Sequence, residues 1–202
     1  IGVPGYGWQV KIVDEAGREV PQGGVGELCV KGPGVMTCYY KDEKATAASF
    51  KDGWFLTGDY GRLDQNGRLY ISGRKKNLII LDNGKNICPE VLEDFFRENS
   101  PLFSEAVVFE RTKTSGKEST KLLVLAVSID REYSRGKSEE QLREEAFTEV
   151  YRLNRLLPSY ERIADVMAVA HEFEKTSTLK IIRRSVEAEY EKYEKHKEEE
   201  YV

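Results

Sequence analysis

The chain has 202 residues, of which 40% are hydrophobic and 33% charged, and its formal net charge is -4 at pH 7. These values are typical of a folded globular chain and exclude intrinsic disorder, and the acidic balance gives no basic field for nucleic acid. No run of about 18 apolar residues and no signal sequence is present, so we predict a cytoplasmic protein without a transmembrane segment.

Three cysteines, Cys29, Cys38 and Cys88, show no paired C-x-x-C spacing. Neither a disulfide framework nor a zinc site is indicated, and we expect all three to be small buried hydrophobic residues. We predict no metal ligands in the chain. Because the sequence starts at Ile1-Gly-Val-Pro-Gly5 without an initiator Met, we expect it to be a fragment of a longer protein.

The first part of the chain predicts mostly β-structure. Alternating apolar and polar residues indicate strands, and an Asn-Gly dipeptide at residues 66 and 67 favours a tight hairpin. We predict strands at 8–14, 26–31, 59–63 and 69–73, and a short alanine-rich helix at 43–50.

The pattern changes after Arg74 to alternating strands and helices, which predicts an α+β domain. Ser138 and Gln141 form a capping box before a long amphipathic helix whose apolar residues include Phe147. We predict strands at 78–81, 106–110, 122–129 and 164–170, helices at 89–99, 138–157 and 182–195, a polar loop at 111–120, and a solvated charged end at 187–200. The change places a domain boundary between 1–75 and 76–202. The connecting segment is short enough to act as a hinge.

Two segments flanking the predicted hairpin carry charges suited to a nucleotide. In Trp54-Phe-Leu-Thr-Gly-Asp59 a glycine precedes a carboxylate that can accept two hydrogen bonds from a vicinal diol such as ribose. Arg74, just past a strand, presents a guanidinium that could reach a ribose or a phosphate. Each segment alone also fits a plain interpretation, an Asx-type turn for Asp59 and a solvated strand end for Arg74.

A third segment, Lys175-Thr-Ser-Thr-Leu-Lys180, is a polar loop between a predicted strand and a predicted helix. An ammonium group among small hydroxyl residues could stabilise charge on a transferring phosphoryl group. The alternative is an ordinary surface lysine.

Together the three segments resemble the signature motifs of the adenylate-forming superfamily, which includes acyl-CoA synthetases, luciferases and peptide-synthetase adenylation domains. Similar matches occur at residues 24–28, 32–35, 39–50, 84–90 and 157–160. The resemblance covers essentially the whole chain. It implies an α+β fold comprising the β-rich last subdomain of the large N-terminal region, a distorted barrel, followed by the small mobile C-terminal domain.

The resemblance also implies roles for single residues. Asp59 binds the ribose hydroxyls of ATP and acyl-AMP, Arg74 lies beside it, and Ile71 lines the nucleotide. Lys180 engages the substrate carboxylate and the α-phosphate during adenylation. In the implied reaction a carboxylate and ATP give acyl-AMP and pyrophosphate, and the coenzyme A (CoA) thiol then displaces AMP.

Two further residues belong to the implied domain movement. Lys76 falls at the hinge, and the loop around Gly84 meets the pantetheine arm of CoA after the domain rotates. One hinge would exchange two catalytic faces, because the adenylation lysine must leave before a thiol can approach.

The sequence departs from the family pattern at Leu179, where many members have Gly, and at Asn77, where many have Asp. The bulky Leu179 resembles the long-chain fatty acyl-CoA synthetase branch and implies a fatty acid substrate. The phosphate-binding loop, the Mg²⁺ ligands and the acyl pocket are expected upstream of this chain, as a partner region of the same parent. The chain alone is therefore predicted to be inactive, and the parent is expected to be cytoplasmic or peripheral to the membrane.

Two alternatives remain at this stage. One is a fatty acyl-AMP ligase that loads a carrier protein instead of CoA. The other is a non-catalytic interaction module of the same fold, although such a module has no need for Asp59, Arg74 and Lys180 together.

Overall fold

The first 78 residues form a curled antiparallel sheet. The computed structural model describes residues 1–115 and 118–199. The elements of this part are β1 (Gln9–Val13), β2 (Gly26–Lys31), α1 (Glu43–Ser49), β3 (Phe50–Lys51), β4 (Trp54–Leu63) and β5 (Leu69–Arg74). Strand β4 is the centre of the sheet, since it pairs antiparallel with β2, β3 and β5, and β1 pairs with β2. The predicted strands and the hairpin at 64–68 are confirmed, although β4 begins earlier than predicted and β3 was missed.

A β-bulge distorts the β4–β5 pair. Tyr60 lies opposite Gly73, but the next residue, Gly61, lies opposite Ile71, so β5 carries one extra residue at this point. Gly61 is required here, because a Cβ at this position would lie 2.3 Å from the backbone oxygen of Tyr70. The two strands can therefore approach closely only where a side chain is absent.

The second compact unit begins at Ile79. Its elements are β6 (Ile79–Ile80), β7 (Asn86–Ile87), α2 (Pro89–Asn99), β8 (Phe103–Ser115), β9 (Glu118–Ile129), α3 (Arg131–Ser134), α4 (Glu139–Asn154), β10 (Asp165–Val169) and α5 (Arg183–Glu199). The main sheet has the order β10-β9-β8, with β9 antiparallel to β8 and parallel to β10, and β6 and β7 form a separate hairpin. The predicted α+β fold is confirmed.

Strand β9 shows why this sheet is covered on both faces. Its residues alternate between two hydrophobic clusters: Leu123, Leu125 and Val127 pack with residues of α2 and α4, whereas Val124 and Ala126 pack with residues of α5. A strand buried on both faces reads as a continuous apolar run, as residues 122–127 do.

The predicted polar loop at 111–120 is wrong. Strand β8 continues to Ser115 and β9 begins at Glu118, so the two strands extend as a ribbon beyond the core. Polar cross-strand contacts hold this ribbon: the Thr114 and Ser119 hydroxyls are 3.3 Å apart. Because strand residues on a two-sided polar ribbon bury little apolar area, hydrophobic patterning alone does not reveal them. The turn itself lies outside the described residues.

The remaining expectations, for both units, met mixed outcomes. The capping box of α4 is confirmed, with Ser138 accepting from the Gln141 backbone. Phe147, predicted on the apolar face, is 53% exposed. The charged end predicted as solvated is wrong at Tyr190, which is only 2% exposed within α5, and the predicted burial of Cys38 is wrong because it is exposed. Among the described helices, none has the length and apolarity needed to cross a bilayer.

Candidate functional site

Asp59 and Arg74 are brought together by the register of the β4–β5 pair. They lie directly opposite each other, and Arg74 Nε is 3.0 Å from Asp59 Oδ1. The backbone before Asp59 is fixed locally, because Gly58 has a φ of 70° and the Asp59 N–H donates to Thr57 Oγ1 at 3.0 Å. With 28% of its side chain exposed, the Asp59 carboxylate can still accept hydrogen bonds from outside the protein.

Ile71 lies on the same strand as Arg74, opposite Gly61 at the bulge. Its side chain is 38% exposed, which is unusual for an isoleucine within a strand and leaves an apolar surface beside the charged pair. The structure thus places the three sequence-predicted nucleotide residues on one pair of strands.

An ion pair next to this site contains a buried carboxylate that the sequence pattern did not reveal. Lys75 Nζ lies 2.7 Å from Glu27 Oε2, and the Glu27 side chain is only 7% exposed. The hydrogen bond to Glu27 raises the pKa of Lys75. The signal was present in β2, where an acidic residue interrupts a buried apolar strand. Lys76, the proposed hinge residue, follows in a short 3-10 turn, Lys75–Asn77, and is exposed.

Lys180 closes a tight hairpin between β10 and α5. Its backbone oxygen accepts from the Thr176 N–H at 2.8 Å, and its N–H donates to Thr176 Oγ1 at 3.2 Å. Leu179, at the tip, has a φ of 60° and is 80% exposed. A leucine in this left-handed conformation is strained, since its Cβ crowds the following carbonyl.

The first leg of this hairpin is anchored to β8 by Glu105. One carboxylate oxygen of Glu105 accepts from the Phe173 N–H at 2.8 Å, and the other lies 2.5 Å from Lys175 Nζ. Phe173 itself is 3% exposed within the core. The hydrogen bond to Glu105 raises the pKa of Lys175, so this lysine stays charged and committed to the brace.

The second leg is anchored by a buried bidentate ion pair. Arg183 donates to both carboxylate oxygens of Glu93, in α2, at 2.7 and 2.8 Å, and to the Val108 oxygen at 3.1 Å. The Val108 N–H in turn donates to Glu93 at 2.7 Å. Burial raises the pKa of Glu93, against the opposing influence of Arg183 and of that backbone N–H. Neither Glu93 nor Glu105 was singled out from the sequence.

The two lysines of this segment therefore differ. Lys175 is held by two carboxylates, Glu105 and Glu172. Within the part of the chain that the structure describes, no hydrogen bond or ion pair holds the exposed Lys180 ammonium. A braced hairpin thus presents one uncommitted positive charge.

Gly84 lies in the turn between β6 and β7. It has a φ of 74°, its N–H donates to the Leu81 oxygen at 2.8 Å, and no atom lies within 4 Å of a Cβ built on it. A ligand could approach this backbone closely.

Asp59, Ile71 and Arg74 belong to the first compact unit, whereas Gly84 and Lys180 belong to the second. Among residues 1–115 and 118–199, no group of three or more His, Cys, Asp or Glu side chains could hold a metal ion.

Two models of protein families match the sequence of this chain. The model described as AMP-binding enzyme C-terminal domain matches residues 76–195, and the model described as AMP-binding enzyme matches residues 1–40. The chain belongs to the adenylate-forming, AMP-binding enzymes, in the acyl-CoA ligase family. The domain boundary near residues 75 and 76 stays a prediction beside the division of the structure after Leu78.

Its curated relatives include long-chain-fatty-acid–CoA ligases. The chain is 44% identical over 108 residues to FadD15 of Mycobacterium tuberculosis, covering 54% of this chain and 16% of that protein. It is 34% identical over 189 residues to the ligase of Escherichia coli, covering 94% of this chain and 31% of that protein. The chain therefore spans less than a third of these relatives.

A solved structure of the family shows the same fold. O-succinylbenzoate CoA synthetase from Bacillus subtilis, in complex with its acyl-adenylate intermediate, matches with a TM-score of 0.69 and 28% sequence identity. The match covers 91% of this chain and 34% of that one.

Proposed function

We propose that this chain is the C-terminal part of an ATP-dependent fatty acid–CoA ligase. The parent enzyme adenylates a fatty acid to acyl-AMP with release of pyrophosphate, and then transfers the acyl group to the CoA thiol. The fatty acid and CoA follow from the names of the relatives, which are long-chain-fatty-acid–CoA ligases. The observation that carries the proposal is the uncommitted Lys180 ammonium on its braced hairpin.

In the first step Lys180 acts on charge that develops during the reaction. When the substrate carboxylate attacks the α-phosphorus, negative charge builds on the phosphoryl oxygens and pyrophosphate leaves. An ammonium group without a partner among the described residues can move onto those oxygens without breaking an ion pair there. The anchors at Glu105 and Arg183 hold its backbone, so little reorganisation is needed.

Asp59 and Arg74 have a binding role in this proposal. The Asp59 carboxylate accepts hydrogen bonds from the two ribose hydroxyls, and Arg74 holds it in position. Ile71 supplies an apolar surface for the nucleotide. The pair keeps the adenylate in place while the second step proceeds.

In the second step the CoA thiol attacks the acyl carbonyl and AMP leaves. We propose that Lys76 is the hinge of the movement that withdraws Lys180 and brings the Gly84 loop to the pantetheine arm. A single exposed residue in a one-turn 3-10 segment suits this role, because few backbone hydrogen bonds oppose a change in its φ and ψ.

Magnesium has no site among the described residues of this chain. A second structure of the Bacillus subtilis synthetase contains ATP and a magnesium ion. For the present protein we propose that the Mg²⁺ ligands and the acyl pocket lie in the remainder of the parent chain, so the 202-residue chain alone should form no acyl-CoA.

The test is a Lys180→Ala variant of the proposed parent, assayed for each half-reaction. We expect fatty-acid-dependent ATP–pyrophosphate exchange to fall by at least about 100-fold, as when one transition-state charge partner is lost. Thioester formation from supplied acyl-AMP should stay within about threefold of wild type, since Lys180 has left the site by then.

Lys113→Ala, which removes an exposed lysine on the β8 ribbon, is the matched control and should change neither activity. Unimpaired exchange in Lys180→Ala would contradict the assignment. Loss of both half-reactions with retained folding would contradict the division of labour between the two faces.

A further inference from the structure

The second unit carries a groove that the proposed reaction does not use. It lies between α4 and the edge of β10 and has a volume of about 660 Å³, within the range of small-molecule sites. Its floor consists of three buried core residues, Val150, Ile163 and Val166. The groove is thus a preformed apolar surface beside the main sheet.

Two exposed aromatic side chains line this groove. Phe147 is 53% exposed and Tyr151 is 66% exposed, and they lie one helical turn apart on α4. Aromatic side chains left in water next to an apolar floor are costly unless something covers them. The sequence pattern predicted Phe147 in the core because it belongs to the apolar face of α4, yet the groove leaves its side chain exposed.

The positive charges of the groove are gathered at one end. Arg155 follows the last residue of α4, and Arg162 immediately precedes Ile163. Asn154 ties these two segments together, because its side chain bonds both the N–H and the oxygen of Ile163 at 2.9 Å. Arg155 and Arg162 therefore lie beside the same point, while Phe147 is eight residues away from Arg155, about 12 Å along a helix.

These two arginines have no acidic partner among residues 1–115 and 118–199. Within the described residues, neither Arg155 nor Arg162 makes an ion pair, whereas Arg152 on the same helix is held by Glu149 at 2.8 Å. The Asn154 amide is already occupied by Ile163, and Arg162 Nε donates to the Leu157 oxygen at 3.4 Å, which leaves the Arg155 guanidinium and the terminal nitrogens of Arg162 for an anionic ligand. The groove offers a cationic end and an apolar length.

We propose that this groove binds the anionic head and aliphatic tail of a long-chain fatty acid. The carboxylate pairs with Arg155 and Arg162, and the tail lies over Val150 and Val166 between the aromatic side chains. A single head group accounts for two cations at one end, whereas an acidic peptide would need cations spread along the groove. The choice of a fatty acid among anionic amphiphiles rests on the proposed function.

The site would hold a second fatty acid outside the reaction centre, on the domain that carries Lys180. Its role would be to retain substrate on the enzyme and raise its local concentration. Guanidinium groups suit this role, because they recognise a carboxylate through two parallel hydrogen bonds.

The test is an NMR titration of the isotope-labelled 202-residue chain with decanoate below its micellar concentration. We expect saturable shifts at the amides of Phe147, Val150 and Val166. The neutral analogue decanol should bind at least fivefold more weakly, because the head group supplies part of the affinity. An Arg155→Gln/Arg162→Gln double variant should bind decanoate at least tenfold more weakly.

Arg152→Gln is the matched control, since it removes one charge from the same helix outside the groove, and it should leave binding unchanged. Both substituted positions of the double variant are exposed, and its amide spectrum reports folding directly. Shifts that map elsewhere, equal binding of decanol, or unchanged affinity in the double variant would each overturn the proposal. The titration involves neither ATP nor CoA, so its failure leaves the Lys180 assay untouched, and failure of that assay does not change the binding result.

Discussion

The two compact units each contain an arginine–carboxylate pair, and the pairs differ in burial. In the first unit Arg74 meets Asp59 through one nitrogen, and 54% of the Arg74 side chain is exposed. In the second unit Arg183 grips both oxygens of Glu93, with 26% and 12% of the two side chains exposed. The same chemistry therefore has two consequences: the exposed pair leaves part of the Asp59 carboxylate open to solvent, whereas the buried pair fixes elements that lie 90 residues apart.

The difference follows from where the polar groups find partners. Glu93 also accepts the Val108 N–H, and Arg183 also donates to the Val108 oxygen, so the pair completes the backbone of β8 as well as itself. Among the described residues, the Asp59 and Arg74 side chains make no comparable bond to the backbone of a neighbouring strand. Breaking the Arg183–Glu93 pair should therefore lower the stability of the second unit, whereas breaking the Arg74–Asp59 pair should weaken ligand binding by the first.

The largest expected effect comes from breaking the buried pair. Arg183→Ala should destabilise the second unit by about 3 to 5 kcal/mol, because it leaves the Glu93 carboxylate buried without its cation. Chemical denaturation followed by circular dichroism measures the change. The neighbouring exposed Arg184→Ala is the control and should change the unfolding free energy by less than about 0.5 kcal/mol. Equal effects of the two variants would show that the Arg183–Glu93 pair contributes no stability of its own.

A second contact, between Tyr190 and Asp165, should make the stability of the second unit depend on pH. The Tyr190 hydroxyl donates to Asp165 at 2.8 Å, and burial, followed by this bond, raises the pKa of Tyr190. Tyr190→Phe should cost about 1 to 2 kcal/mol at neutral pH, because it removes a hydrogen bond to a charged group but keeps the ring packed on Phe109.

The sign of the pH dependence follows from the raised pKa of Tyr190. The stability that the protonated hydroxyl contributes is present below the ordinary tyrosine pKa of about 10 and is lost as pH rises above it, because the unfolded chain ionises first. The difference between wild type and Tyr190→Phe should therefore shrink between about pH 10 and pH 11.5. Urea unfolding at each pH gives this difference, and a constant gap would contradict the burial argument.

A smaller change, of opposite sign, is expected at the tip of the Lys180 hairpin. Leu179→Gly should stabilise the second unit by about 0.5 to 1 kcal/mol, since glycine adopts a positive φ without strain and the exposed leucine side chain buries little area. Leu179→Ala keeps the strain and is the control without a gain. Thermal unfolding compares the two variants, and a loss of stability in Leu179→Gly would mean that the leucine side chain has a contact worth more than its strain.

The smallest effect on stability should come from the exposed pair. Arg74→Gln should change the unfolding free energy of the first unit by less than about 1 kcal/mol, as for other exposed ion pairs. In the proposed parent, however, the KM for ATP should rise by about tenfold, because Asp59 loses the group that orients it. A large loss of stability with an unchanged KM would assign the pair to the fold instead of the nucleotide.

The strands and helices followed from sequence wherever burial imposes a period. The hydrophobic alternation of β1, the apolar run of β9 and the capping box at Ser138 each specify a local structure directly. The β8–β9 ribbon did not follow from sequence, because residues such as Thr112, Lys113 and Thr114 are exposed and its pairing depends on the register set by the core part of the same strands. The short strand β3 failed for a similar reason, since two residues carry no periodic signal.

The candidate site divides in the same way. Asp59, Arg74 and Lys180 were proposed because their segments resemble family motifs, and the register of the β4–β5 hairpin explains why Asp59 and Arg74 lie opposite each other. The sequence did not reveal the groups that anchor the Lys180 hairpin. Glu93 and Glu105 appear in the sequence as ordinary acidic residues of a helix and a strand, and only the fold shows that they meet a segment some 70 to 90 residues later.

Gly61 imposes a constraint of a different kind. The close approach of β4 to the Tyr70 backbone depends on an atom that is missing, so no substitution can supply what glycine supplies there. A saturation-mutagenesis library of the parent, selected for function, should therefore be depleted of every replacement at position 61, including alanine. In the same library selected only for folding, Asp59 and Arg74 should tolerate replacements, whereas position 61 should remain depleted. Position 61 would then be intolerant under either selection, whereas Asp59 and Arg74 would be intolerant only where nucleotide binding is selected.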